Sequence, residues 1–222
     1  MNKFQEVEGL FSRAEEHLNW LREYVVHPDP DRLATNSGYY IAPESGDIFT
    51  AKVRIVIGEF ASCLRNALNY LTCAVAEQDS GVWSNTNQFP LESSVKGFEG
   101  NRSRFLQRVS DEHVRFFERF QPYNIGRPFE RLRDFSNAYR HRELIRVEKQ
   151  FQNTELPKPP PQTYRLPAGH EVRMNYFVTA ISLADGNRVV QALEEIEGGV
   201  RQAVIGFRQP LERYIRLSGI TF

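Results

Sequence analysis

The chain has little sulfur: two cysteines and two methionines in 222 residues. Cys63 and Cys73 fall in one stretch of helical periodicity, which sets them about 15 Å apart along an axis and excludes a bridge between them. Neither a disulfide framework nor metal-type cysteine spacing is present. The five histidines are scattered, so no zinc site is expected and no cofactor is implied. Charge of one sign is also missing. Lys+Arg 28 balance Asp+Glu 28, so no global basic field announces nucleic acid. No apolar run approaches the roughly 20 residues of a membrane span. The opening "MNKFQEVEGLFSRAEEHL" lacks the apolar core of a signal peptide. These absences lead to the expectation of a reduced, cytoplasmic protein without a membrane partner. A "GxSxG" nucleophile elbow and the glycine spacing of a phosphate loop are absent too.

The composition that remains is that of a folded domain, with 41% hydrophobic and 25% charged residues. Arginine dominates the basic residues, and eleven Arg stand against six Asp or Glu over 101–146, a local excess of 11 − 6 = +5. Guanidinium offers a planar fork suited to phosphate or carboxylate, and serves ion pairs on helix surfaces equally well.

Apolar residues at three- and four-residue steps predict a helix over 3–26 (Phe4, Val7, Leu10, Phe11, Ala14, Leu18, Leu21, Val25), stopped by "HPDPDR". A loop or short edge strand around "YYIA" is expected over 31–49. Val53, Ile57, Phe60, Leu64, Ala67, Leu71 and Ala74 form a near-heptad stripe, which predicts a long helix over 50–78 packed lengthwise in a bundle. A polar loop with "NTNQFPL" follows, then a third helix over 103–120. The break at "QPYNIGRP" leads to a fourth over 128–148, with Pro128 suited to its first turn. Beyond 150, "PKPPPQ" reads as a stiff linker. Alternation predicts strands over 171–183 and 187–193 around an "ADGN" turn. A last helix is expected from 197. The expected fold is mainly α: an up-and-down bundle of four to five helices over 1–150, a linker and small antiparallel β-hairpin over 151–196, and a C-terminal helix over 197–222 packing back on the bundle.

The fourth helix carries "LRDFSNAYRHREL". At about 100° per residue, Phe129, Leu132, Phe135 and Tyr139 share a buried side, while Asp134, Asn137 and His141 fall within roughly 60° on the other. Asp134 is placed to orient His141, and Arg133, Arg140 and Arg142 to hold phosphate. Imidazole moves protons near neutral pH and guanidinium stabilises phosphorane charge, so the set suits RNA cleavage. The bland alternative is a solvated polar face. On the second helix Arg65 and Asn69 flank the apolar stripe. Arg65 is expected to meet Glu59, or Asp134 if the helices are neighbours, or else to serve as a structural ion pair.

Four pieces in order, "IGEFASCLRNALNYL", "NQFPL", "FQPY" and "LRDFSNAYRHREL", resemble a widespread family of bacterial helical proteins over about 57–146. That family is similar in turn to the HEPN superfamily of helical bundles, many of which dimerise. The resemblance implies a HEPN-like bundle and a homodimer. Active members cleave RNA through an Arg, a polar residue, three residues, then His. The resemblance carries Asn137 and His141 over as catalytic candidates, with Arg142 and Arg65 as matching basic residues. The chain departs from the pattern at Ser136, where the catalytic Arg would stand, and at Asn69 and Tyr70, where the family has "DH". Two readings follow: an RNA-directed module of toxin or phage-defence type (ribonuclease or RNA binder), or a non-catalytic interaction protein with a protein partner.

Overall fold

The computed structural model describes residues 3–22, 46–141, 143, 145, 147–151, 163–165, 171–173, 179–183 and 188–218, and is mainly helical there. The end of the first helix beyond residue 22, "YYIA", "PKPPPQ", "ADGN" and Arg142 lie outside the described residues.

The elements are α1 (Lys3–Leu21), α2 (Gly46–Ser80), α3 (Val95–Phe105), α4 (Asp111–Arg119), α5 (Pro122–Ile125), α6 (Arg127–Arg140), β1 (Val147–Phe151), β2 (Thr163–Arg165), β3 (Glu171–Arg173), β4 (Thr179–Leu183) and α7 (Val189–Ser218). The core is built on the α2 stripe. Val53, Ile57, Phe60, Leu64, Ala67 and Leu71 are all wholly buried, against Val7, Phe11, Ala14, Leu18 and Leu21 of α1. At about 25 cal/mol per Å² of apolar surface removed from water, each large side chain in this seam contributes roughly 1.5–3 kcal/mol. α6 packs along the same helix. Arg54 Nε of α2 donates to Ile145 O at 2.6 Å, and Tyr139 lies over Gly58, where a Cβ would sit 2.8 Å from the ring's Cγ. Those contacts run in opposite chain order, so α2 and α6 are antiparallel, and Gly58 permits their close approach. α7 closes the other side. Phe207 packs its ring 4.3 Å and 4.5 Å, centroid to centroid, from Phe116 and Phe117. Arg22, just beyond the end of α1, binds Glu194 at 2.7 Å.

Four expectations are corrected. The long helix starts at Gly46, within the segment read as loop. The helix read over 103–120 is two helices, because the chain turns between Phe105 and Asp111. There Arg108 adopts φ 65°, and the Ser110 hydroxyl caps the first turn of α4 by accepting from His113 N. The fourth helix ends at Arg140, and residues 147–151 form a strand. Residues 189–193 of the strand read over 187–193 are instead the start of α7, which begins at Val189, eight residues before the expected start. Val189, Leu193, Ile196, Val200, Ala203 and Phe207 step by 4, 3, 4, 3 and 4 and are all buried, so packing on the bundle decides for helix over the β-branched pair Val189–Val190. The described strands pair antiparallel as β1 with β4 (Val147 opposite Leu183) and β2 with β3. Leu183 is buried in the core, which ties the first pair to the bundle.

Candidate functional site

α6 positions the residues of "LRDFSNAYRHREL". Gly126, at φ 82°, turns the chain into the helix, and a proline sits in the first turn. At the other end His141 closes the helix, its backbone N–H donating to Asn137 O at 3.0 Å. His141 therefore sits at the C-terminal cap, not inside a helix running to 148. Phe129, Leu132 and Phe135 are buried, whereas Asp134, Arg140 and His141 are exposed and Asn137 is half-buried. The negative end of the helix dipole falls beside Arg140 and His141, which favours positive charge there.

The finer contacts differ from the expected ones. Asp134 does not orient His141: its Oδ1 accepts from Arg133 Nε at 2.8 Å, which occupies both partners. The His141 ring, the Asn137 amide and the Arg140 guanidinium make no hydrogen bond among the described residues. Ser136 is 4% exposed, and its hydroxyl donates to Arg133 O at 3.1 Å. The position where the resemblance calls for an arginine thus points into the bundle, away from the His141 end. Asn69 holds structure instead of supporting chemistry, since its Oδ1 accepts from Phe89 N at 3.0 Å and fastens the "NQFPL" loop to α2.

Arg65 meets neither Glu59 nor Asp134. Its Nε is enclosed and has no hydrogen-bond partner, although the residue as a whole keeps partial exposure. Burial pulls the guanidinium down to about 10; the charge of Arg140 pulls the same way, and Glu92 opposes both. Glu92 is engaged elsewhere. Its Oε1 accepts from Asn101 Nδ2 at 3.0 Å, and its N–H donates to Gln121 Oε1 at 3.0 Å. Among the described residues, Arg65 on α2, with its Nε enclosed, and Arg140, exposed on the last turn of α6, have no hydrogen-bond or ion-pair partner.

A second place was not legible in the sequence. Arg13 and His17 of α1, Glu59, Ser62, Cys63 and Asn66 of α2, and Tyr139 of α6 line an open cleft of about 210 Å³. His17 is 8% exposed and places Nδ1 3.7 Å from Glu59 Oε2, an electrostatic contact too long for a hydrogen bond. Burial lowers the His17 pKa, aided by Arg13, and burial raises that of the Cys63 thiol. A protonated thiol is a poor nucleophile, and the cleft is smaller than the roughly 300 Å³ at which small-molecule pockets begin. The one available signal was position: His17 adjoins the buried Leu18 in the α1 stripe.

Ser110, His113 and Asp79 also meet. Both Asp79 oxygens lie 2.9 Å from His113 Nδ1, and Ser110 Oγ lies 3.2 Å from that same nitrogen. A catalytic triad needs the serine and the carboxylate on opposite ring nitrogens, so this cluster is a clamp between α2 and α4. No group of three or more His, Cys, Asp or Glu among the described residues is arranged to hold a metal ion. No described helix is long and apolar enough to cross a membrane.

No family model, curated protein or solved structure matches the chain.

Proposed function

We propose that the protein is a HEPN-like helical module that holds RNA through the C-terminal end of α6 without cleaving it. One observation carries this reading: Arg140 and His141 stand exposed and without partners among the described residues at that end, while Ser136 is turned into the core. Exposed cationic and proton-donating groups at a helix C-terminus suit phosphate contacts. Cleavage needs an oriented base and a guanidinium held where charge develops. Here the Asp134 carboxylate is spent on Arg133.

The test is retention of a labelled single-stranded RNA at low and moderate salt by the wild type, Arg140→Gln and His141→Ala. Retention that falls with salt is expected, with intact RNA recovered. Arg140→Gln should lower the slope of log affinity against log salt by about 1. Absence of salt-dependent retention refutes RNA holding. RNA cut by the wild type but not by His141→Ala refutes the non-catalytic part.

A second reading, a protein-interaction module that forms homodimers, draws on a different surface. Tyr70, Val82 and Trp83 are exposed, and Lys3 Nζ lies 5.3 Å and 4.8 Å from the centres of the Tyr70 and Trp83 rings. Exposed Tyr and Trp are enriched at protein interfaces. Light scattering of the wild type and Trp83→Ser decides it: a dimer mass lost in the variant supports this reading, and a monomer mass for both removes it.

A further inference from the structure

The cleft between α1, α2 and α6 takes a polar side chain from each of its helices. Glu59, Ser62, Cys63 and Asn66 follow the i, i+3, i+4, i+7 spacing of one helical face, so α2 forms the floor. His17 of α1 and Tyr139 of α6 are its walls. Among the described residues the His17 ring, the Glu59 carboxylate, the Ser62 and Tyr139 hydroxyls and the Asn66 amide make no hydrogen bond. His17 is only 8% exposed, and a buried polar group left without a partner is costly.

Glu59 is the charge that an occupant must answer. The His17 ring, 3.7 Å from it, is kept neutral near pH 7 by burial, and Arg13 is bound to Glu16. A carboxylate only accepts, through two oxygens side by side, so its complement is a pair of adjacent donors on one rigid edge. Among the RNA bases guanine alone has that edge, with N1–H beside the N2 amino group. The Watson–Crick edges of adenine, cytosine and uracil each set an acceptor next to the donor. A cleft of about 210 Å³ falls short of a drug-sized pocket and suits one flat bicyclic base, with sugar and phosphate left outside. The place for that phosphate is close. Tyr139 and Arg140 are consecutive in the last turn of α6, their Cα atoms about 3.8 Å apart, within the span of one nucleotide.

We infer that this cleft receives an unpaired guanine base, its Watson–Crick edge on Glu59 and its ring against Tyr139. The inference rests on the reading of the α6 end as an RNA-holding surface and adds base preference to it. Guanine has two sources, a single-stranded RNA or a free guanine nucleotide, and the experiment separates them.

Short single-stranded oligoribonucleotides with G, A, C or U at one central position are tested for retention by the wild type, Glu59→Gln and Ser62→Phe. GMP, AMP and CMP are titrated into the same proteins by calorimetry, and thermal unfolding checks each fold. A bidentate base contact discriminates by roughly tenfold or more, so the wild type should hold the G oligomer that much more tightly than the others. In Glu59→Gln the G oligomer should fall to the level of the other three. Ser62→Phe, which fills the cleft from a half-buried position, should do the same and keeps the test decisive should Glu59→Gln fail to fold.

A preference for the G oligomer that both folded variants lose identifies an RNA base as the occupant. GMP bound in preference to AMP and CMP, dependent on Glu59 and without any RNA retention, sustains the guanine cleft for a free nucleotide and refutes the RNA reading alone. Equal retention of all four oligomers with no preference for GMP overturns the inference and leaves RNA holding intact. A guanine preference that survives in Glu59→Gln overturns it as well.

Discussion

Replacing Arg65 with methionine should make the protein more stable in an anion-free buffer, the reverse of the usual result of altering a buried residue. Arg65 Nε has no partner, so the substitution orphans no other group. Breaking a buried pair by removing one member typically costs 3–5 kcal/mol, but Arg65 has no ion-pair partner among the described residues. Depression of the guanidinium below its ordinary value, to about 10, corresponds to roughly 3 kcal/mol held against the charged folded form, at about 1.4 kcal/mol per pH unit. That figure is a ceiling, because the partial exposure of the residue lets water recover some of it. Methionine keeps most of the aliphatic stem's contacts and fills irregular gaps. A net gain of roughly 1–2 kcal/mol is expected, which moves a urea midpoint up by about 0.5–1 M. Equilibrium unfolding followed by far-UV circular dichroism, in chloride near neutral pH, measures it. A midpoint lowered by the substitution, with an unchanged slope, refutes the reasoning, because it means that Arg65 is satisfied in the fold.

Three other expectations follow from the packing. Ser136→Arg should lower stability by several kcal/mol and leave RNA intact in a cleavage assay, since it forces a charge into a position 4% exposed; a folded variant that cuts RNA would show the opposite. Gly58→Ala should cost about 1–3 kcal/mol because the new Cβ meets the Tyr139 ring, and adding Tyr139→Ala should recover part of the loss in a double-mutant cycle. His17 has its pKa lowered by burial and by Arg13, against the pull of Glu59 and Glu16. As pH falls through 6.5, the unfolded chain therefore takes up a proton before the folded one, and stability declines until the lower folded value is passed. Between pH 7 and pH 5 the wild type should lose more stability than His17→Gln, and parallel curves would contradict this.

Helices with a strong period and no competing turn signal were readable from sequence. The Val53–Ala74 stripe and the Phe129, Leu132, Phe135 side of α6 are buried as their spacing requires. Where local chemistry opposed the period, the reading followed the wrong cue. "ADGN" followed by Val189–Val190 has the look of a hairpin, yet the same 4,3 stepping as in α2 runs from Val189 to Phe207, and burial against α1, α4 and α6 outweighs the β preference of two valines. The turn at Arg108, which adopts φ 65°, carried no glycine or asparagine to signal it. At the site, the sequence separated the exposed stripe of α6 from its core side but not the contacts within it. Asp134 lay three residues from Asn137 and one from Arg133, and only the rotamers decide which neighbour it serves. The lack of a hydrogen-bond partner at Arg65 Nε was out of reach for the same reason: it depends on how the side chain is turned within the fold.

The Arg22–Glu194 bond joins residues 172 positions apart, and it has a consequence for synthesis. At about 5–20 residues per second, roughly 10 to 35 s separate the making of its two ends. For about the last two thirds of that interval α1 and α2 already exist with the seam meant for α7 uncovered. The newborn chain is thus a substrate for holding chaperones, and slowing translation should increase aggregation before it alters the finished protein.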